Sequence, residues 1–318
     1  MINEVTFSTK PTTAKIVISI TFLPSRVARL PFSALFRDRY PMLTQISVIP
    51  PHFTTLVTLL ALFLSPATWA GNGTYTEQGL KALEINEIKK AAELFNKGID
   101  ANEVDAYFYL GRMYESGIGV TQDIVKAMQL YRTAADKGSA RAMNQLGMLY
   151  LGAPGVLQDF EKAREFLRKA AEAGNAEAQF NYGSLLLEGK VVEKNPSEAN
   201  KWFEKSGKQG YIPAQLRLAR NYQMGIGTKK NPEQAFYWYL QAAVRGQPYA
   251  LYEIGLRYKT GDGTVKDLTQ AHKYMNLALS RGYRKALPEL RELTNQLNRD
   301  QLLKAQEEAR TWKPVVGD

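Results

Sequence analysis

The chain reads as an all-α protein, an alpha-solenoid of antiparallel helix pairs built from five copies of a 36-residue unit. Three observations predict this. Gly138, Gly174, Gly210, Gly246 and Gly282 fall 36 residues apart without slip. Ala106, Ala142, Ala178, Ala214 and Ala250 keep the same interval, and so do Ala127, Ala163, Ala199, Ala235 and Ala271. A fixed period of roughly 20 to 50 residues marks a stacked array, in which each unit buries its apolar face only against its neighbours. Such an array offers an extended surface more readily than a catalytic pocket.

Residues 1–70 stand outside the array. Between Val5 and Thr76 the sole acidic residue is Asp38, against Lys10, Lys15, Arg26, Arg29, Arg37 and Arg39. An apolar run from Phe53 to Leu64 leads into Ser65-Pro66-Ala67-Thr68-Trp69-Ala70. Small residues at Thr68 and Ala70 flank Trp69 in the pattern a signal peptidase accepts, which predicts cleavage after Ala70 and a periplasmic or secreted mature protein. The run is about a dozen residues, short of the roughly 20 a spanning helix needs, so no stable membrane span is expected in the mature chain. Met42 offers an alternative start, which would leave a leader without Lys or Arg. Removing the leader's six basic and two acidic residues lowers the net charge from +10 to +6. Both signs are then interspersed with no polybasic block, so nucleic acid is not an expected partner.

Each unit parses into two helices. In the first, helix A runs through Ala106, Leu110, Gly111 and Met113-Tyr114, with apolar or small residues at steps of three and four. Gly117-Ile118-Gly119 ends it. Asp123 then opens helix B, and its counterparts Asp159, Asn195, Asn231 and Asp267 are all good N-cap types. Pro196 and Pro232 follow two of them, at the first helical position where a missing N–H costs nothing. Helix B carries Ala127, Tyr131 and Ala134-Ala135 and ends at Gly138. Gly111, Gly147, Gly183, Ala219 and Gly255 hold one helix A position, which predicts close helix approach there. The large core partners are expected at Tyr114, Tyr150, Leu186, Tyr222 and Tyr258 on helix A, and at Tyr131, Phe166, Trp202, Trp238 and Tyr274 on helix B.

The edges differ. Residues 71–104 hold a shorter first hairpin, in which Gly79 lies 12 residues before Ala91 where the later units have 16. The five units occupy 105–282. Residues 283–318 read as a C-terminal helical cap, with helices over 284–297 and 300–312 closing at Pro314. Glu289, Arg291, Glu292, Lys304, Glu307, Glu308 and Arg310 suit a solvated end, which repeat arrays need for solubility.

The units resemble the Sel-one-like repeat family, longer-looped relatives of tetratricopeptide repeats. The resemblance rests on Leu110-Gly111, Tyr114, Gly117-Ile118-Gly119-Val120, Asp123, Lys126-Ala127, Tyr131 and Ala134-Ala135 to Gly138, and on four further copies. The third departs most: Gly189 is followed by Lys190-Val191-Val192 without a second glycine. The first hairpin looks more like a plain tetratricopeptide unit. The resemblance implies a right-handed superhelix serving as an adaptor or scaffold for protein–protein interaction. Exported bacterial members are associated with envelope signalling, surface polysaccharide control and host contact. A cysteine-rich branch is linked to β-lactam and peptidoglycan binding or hydrolysis. This chain has no cysteine, so that activity is not carried over. A cell-wall glycan stands as the alternative partner to a protein or peptide, and a glycan- or peptidoglycan-binding or -hydrolysing envelope protein as the alternative function.

Little chemistry is legible. Without cysteine there are no disulfides or thiolate metal sites, and His52 and His272 are too few for an imidazole site. The region after Ala70 has no Ser-x-x-Lys and no Gly-x-Ser-x-Gly. Gly117-Ile118-Gly119, Gly225-Ile226-Gly227 and Gly261-Asp262-Gly263 follow helices rather than strands, so they read as helix stops and not phosphate loops. His272 reads as a solvated surface residue, and Glu307-Glu308 as a solvated face. No enzyme activity and no cofactor are expected.

What remains is the inner wall that helix A lines in tetratricopeptide arrays. Carried over by register, its candidate groove residues are Phe108 and Arg112, Asn144 and Met148, Phe180 and Ser184, Leu216 and Arg220, and Tyr252 and Leu256. Glu115, Leu151, Leu187, Gln223 and Lys259 lie one turn further on. Such a wall cradles an amphipathic helix or an extended peptide, with a few aromatic or Arg anchors dominating affinity.

Overall fold

The computed structural model describes residues 73–315, together with Asn3–Thr6, Val17–Ile20 and Ser47–Val48. The chain divides into two units, 1–72 and 73–318. In the first, β1 (Asn3–Thr6) pairs antiparallel with β2 (Val17–Ile20) on one side and β3 (Ser47–Val48) on the other. The run Phe53–Leu64, the alternative start Met42 and the cleavage expected after Ala70 lie outside the described residues.

The second unit is built of helices. A first hairpin, α1 (Tyr75–Glu84) and α2 (Ile88–Asp100), precedes five A–B pairs: α3 (Val104–Ser116) with α4 (Ile124–Asp136), α5 (Ala140–Tyr150) with α6 (Phe160–Glu172), α7 (Ala176–Glu188) with α8 (Pro196–Lys208), α9 (Ile212–Met224) with α10 (Pro232–Ala243), and α11 (Pro248–Thr260) with α12 (Leu268–Ser280). Two more helices, α13 (Ala286–Gln296) and α14 (Arg299–Thr311), follow. Each repeat helix packs on the next in sequence, which is the contact pattern of an α-solenoid.

Local signals set the boundaries. The side chains of Asp123, Asp159, Asn195, Asn231 and Asp267 each accept the backbone N–H three residues on, opening helix B. Each cap contributes about 1 kcal/mol relative to alanine. Pro196 and Pro232 stand at the first helical positions of α8 and α10. The five repeat-end glycines all turn through the left-handed region, with φ between +83° and +92°.

Within each pair the small helix A residue receives one large helix B side chain. A β-carbon added to Gly111 would lie 2.7 Å from the Tyr131 ring, one on Gly147 2.5 Å from Leu167, one on Gly183 2.9 Å from Phe203 and one on Gly255 3.0 Å from Met275. Ala219 occupies the fourth such position, and it and Tyr239 are both fully buried. The core register on helix B is therefore Tyr131, Leu167, Phe203, Tyr239 and Met275, each 0% exposed. Phe166, Trp202, Trp238 and Tyr274 sit one residue earlier and about 100° around the helix. Trp238 and Tyr274 are buried in the core as expected, whereas the expectation is corrected at Phe166 and Trp202, which are only half-buried. Three of this flanking series also pack on helix A aromatics. Phe166 stacks on Tyr150 at 6.0 Å, Tyr274 on Tyr258 at 5.7 Å, and Trp202 meets Tyr182 edge-on at 5.6 Å.

The A–B loops lock each repeat to its predecessor. Gly227 and Gly263 take left-handed φ of +66° and +75°, and a β-carbon on either would overlap the carbonyl oxygen of Pro196 or Pro232, at the start of the preceding helix B. Gly119 approaches Ile88 and Gly155 approaches Ile124 at the equivalent places. In the third repeat Val191 stands at this position and does not take a left-handed φ. The loop leaves Phe160, which opens α6, 45% exposed. One apolar cluster spans repeats 1 and 2, and another runs from Leu186 to Leu293. Between them Ala170, Ala171 and Ala178 form a small group of their own, with Met143, Tyr182 and Trp202 packed alongside, while Ala163 and Leu167 fill the seam of repeat 2.

The cap departs from the repeat plan. Arg291 stands where the repeats have glycine or alanine, and two residues join α13 to α14 where seven join α11 to α12. A guanidinium side chain at the close-approach position excludes a paired helix B. Accordingly α14 packs on α12 and barely touches α13. Arg291, Glu292, Lys304, Glu307 and Arg310 are exposed, as a solvated end requires, and carboxylates of the cap also reach back to the last repeat. Lys259 Nζ donates to Glu289 and Glu292 at 2.6 Å each, and Glu308 accepts from Gln270 at 2.9 Å and from Lys273 at 3.0 Å. Beyond α14, Arg281 lies over the Trp312 ring at 4.5 Å, and the Val315 N–H donates to the Val244 carbonyl at 2.8 Å.

Candidate interaction surface

The helix A wall is narrower than the carried-over register implies. Phe108 and Asn144 are buried, at 8% and 3% exposure, and are removed from the candidate groove. Phe108 packs on Tyr131 at 5.8 Å, and Asn144 accepts from Asn181 Nδ2 at 2.9 Å. Phe180, Leu216 and Tyr252, at the same position in later repeats, are half-buried. Phe180 packs on Phe203 at 5.6 Å and Tyr211 at 5.5 Å, and Tyr252 on Tyr283 at 5.0 Å. This series fills the joint between one repeat and the start of the next. One turn on, and about 40° around, Arg112, Met148 and Arg220 are exposed while Ser184 and Leu256 are half-exposed. These residues form the open face.

The third row has a second task. Tyr131 Oη donates to Glu115 at 2.5 Å, and Tyr239 Oη donates to Gln223 at 3.1 Å. Where the core residue is Leu167 or Phe203, the corresponding wall residue is Leu151 or Leu187. A buried hydroxyl needs a partner and a buried alkyl or phenyl group does not. Lys259, in the last repeat, is taken up by the cap carboxylates.

Titratable groups are shifted for structural reasons. Burial, then the Glu115 carboxylate, pushes the Tyr131 hydroxyl upward, and burial raises Tyr274 to about 12. His272 is 2% exposed and its Nε2 lies 3.1 Å from Thr294 Oγ1, so the reading of a surface histidine is corrected. The cap helix α13 covers it, and burial lowers its pKa. Arg257 is 3% exposed, donates to Glu253 Oε2 at 2.8 Å and lies over the Tyr239 ring at 4.6 Å. Among the described residues no group of three His, Cys, Asp or Glu side chains is placed to hold a metal ion. No described helix is long and apolar enough to cross a membrane.

Two hollows flank the third loop. The larger, about 870 Å³, lies between α6 and Val192–Asn195. Its charges are largely neutralised within the protein: Lys162 pairs with Asp159 at 2.7 Å, Lys169 with Glu165 at 2.6 Å, and Arg164 with Glu161. The smaller, about 450 Å³, is lined by Lys194, Arg217 and Arg220 with Leu187, Pro196, Met224, Ile226 and the buried Asn221. Asn221 Nδ2 donates to Asn200 Oδ1 at 2.7 Å, and Asn200 Nδ2 to the Ile226 carbonyl at 2.8 Å, which fixes the loop forming one side. Register reasoning located Leu187 and Arg220 but missed Arg217, which lies on the row of Tyr109, Gln145 and Asn181. On that row Gln145 and Asn181 donate to the preceding repeat, at Glu115 and Asn144. Arg217 makes no such bond, and the missing polar partner is the signal that would have found it.

The Sel1 repeat profile matches residues 104–139, 140–175, 176–211, 212–246 and 248–283. A Sel1 repeat protein from Oxalobacter formigenes is similar in structure, with TM-score 0.59 and 25% identity over 74% of this chain and 97% of that one. Two further structures resemble it at lower scores. One is c5321, a protective antigen present in uropathogenic Escherichia coli strains, displaying an SLR fold (TM-score 0.45, 24% identity, 78% of this chain and 62% of that one). The other is the immunity protein Pa5087 from Pseudomonas aeruginosa (TM-score 0.42, 20% identity, 73% and 84%). No curated protein matches the chain.

Proposed function

Because the chain belongs to the Sel1 repeat family, whose members generally mediate protein–protein interaction, we propose that it is a non-enzymatic, exported scaffold holding a protein or peptide partner on its helix A wall. One observation carries this reading. Arg112, Met148 and Arg220 project from one row of the repeats, exposed and without a packing role, on a frame whose core beneath them is fully buried. A rigid array with a chemically varied open row is an interaction surface by construction. The expected setting is the bacterial envelope, in signalling or assembly, and it rests on the leader-like N-terminal segment.

The test is capture from envelope extract by the immobilised protein, beside a combined Arg112→Ala, Met148→Ala and Arg220→Ala variant with wild-type helicity. A discrete protein held saturably by the wild type and lost by the variant is expected. Equal retention by both, or retention of wall glycan alone, overturns the groove. Export is checked by N-terminal sequencing of the protein recovered from the cell. A new terminus at Gly71 in the periplasmic or secreted fraction is expected, and an intact terminus in the cytosol argues against it.

A further inference from the structure

Repeat 4 differs electrostatically from the others. Between Glu204 and Glu233 the chain carries Lys205, Lys208, Arg217, Arg220, Lys229 and Lys230 and no acidic residue. Helix A and the A–B loop of repeats 1, 2, 3 and 5 each include at least one carboxylate, that of repeat 2 being Asp159 beside a single cation, Arg141. Three cations, Lys194, Arg217 and Arg220, converge on the smaller hollow. The described residues provide none of them with an ion-pair partner, in contrast to the self-neutralised hollow across the third loop. The same hollow exposes aliphatic surface, with Met224 56% and Ile226 37% exposed beside Leu187.

We propose that this hollow is an anchor pocket for an acidic peptide segment, taking carboxylate side chains on Lys194, Arg217 and Arg220 and an adjoining aliphatic side chain against Leu187, Met224 and Ile226. The proposal rests on the scaffold reading and specifies its partner. Charge complementarity selects an anion, since like-charged or neutral ligands leave three cations uncompensated. The apolar half selects a peptide among anions. Single-stranded nucleic acids are held by aromatic platforms on which bases stack, and no aromatic side chain lines this hollow. Its volume suits one or two side chains, the scale on which peptide grooves fix register. The Asn221–Asn200–Ile226 bonds hold the loop in place before any ligand arrives, which lowers the cost of ordering on binding.

The experiment uses fluorescence anisotropy with the full protein and synthetic peptides of about a dozen residues, a length that spans the pocket and its flanks in extended form. One set places glutamates around a central leucine; a matched set carries lysine in place of glutamate; heparin and polyphosphate serve as non-peptide polyanions. The acidic peptides are expected to bind saturably and at least roughly tenfold more tightly than their lysine counterparts, with affinity falling as salt rises. A double charge reversal, Arg217→Glu with Arg220→Glu, should abolish that preference while leaving helicity and Tm unchanged. Arg112→Glu should leave the preference intact, because Arg112 lies in repeat 1, remote from a pocket formed by repeats 3 and 4. Equal binding of acidic and basic peptides, or equal binding by wild type and double variant, overturns the pocket. So does heparin or polyphosphate outcompeting every acidic peptide, which would make the hollow a general polyanion site. If envelope capture yields a discrete partner that the double charge reversal still holds, the scaffold reading stands and the pocket assignment falls. If no protein is captured and no acidic peptide binds, both fall together.

Discussion

The seam between helices A and B and the open row on helix A lie on the same helices, yet they obey different rules. Along the seam every repeat repeats itself: a glycine or alanine faces a large side chain, and Tyr131, Leu167, Phe203, Tyr239 and Met275 are all fully buried. Along the open row Arg112, Met148, Ser184, Arg220 and Leu256 mix cationic, apolar and hydroxyl side chains. A packed interior punishes any change of volume, so one solution recurs. A solvated row carries no such constraint and is left to whatever it contacts. Periodicity in this chain therefore marks architecture, and departures from it mark individuality.

A series of substitutions and one titration test that contrast, from the largest effect to the smallest. Phe203→Ala empties a fully buried seam position and should cost about 3–5 kcal/mol. Urea unfolding followed by circular dichroism measures it, and a loss no larger than that of a wall variant would refute the seam assignment. Gly263→Ala sets a β-carbon against the Pro232 carbonyl at a left-handed φ of +75°, with an expected cost of about 1–3 kcal/mol. If the same denaturation series shows no change, the loop is not locked to the preceding repeat. Asn231→Ala removes the N-cap of α10 and should cost about 1 kcal/mol, with Asn231→Asp retaining most of the stability.

The titration concerns His272, whose pKa burial lowers in the folded chain. The unfolded chain then binds the proton more readily, so this contribution to stability is complete above the ordinary histidine range and declines as pH falls through it. Comparing Tm at neutral and mildly acidic pH for wild type and His272→Gln checks this, and an equal slope in both would exclude His272 as the cause. Smallest of all, Arg112→Ala and Met148→Ala should each change stability by less than about 0.5 kcal/mol. A larger loss in either would place that residue in the seam.

Much of the fold is legible in the sequence because the period carries it. The glycine spacing, the N-cap series and the proline positions each map onto one observed boundary. Reading by residue type rather than by interval accounts for the slip at Phe166 and Trp202, which are only half-buried. Leu167 and Met275 hold the core position but are not aromatic, so a search for rings moves to the neighbouring residue. Features that depend on contacts distant in sequence stay hidden. Nothing local marks His272 as buried, because Thr294 and the rest of α13 come from another element. The departure of α14 from α13 is written at Arg291, which breaks the small-residue series, but only the packing shows where the displaced helix goes. Of the expected wall, the middle row is the open one, while Phe108 and Asn144 are claimed by the joints between repeats.

Val191 has a mechanical consequence. Every other A–B loop fastens its repeat to the one before through a close glycine contact, and the third does so without it. A chain pulled from its two ends gives first at the loop that the fewest contacts hold. Under tension the third loop should come away from its predecessor before the other four do, while Ala170, Ala171 and Ala178 keep repeats 2 and 3 packed helix to helix.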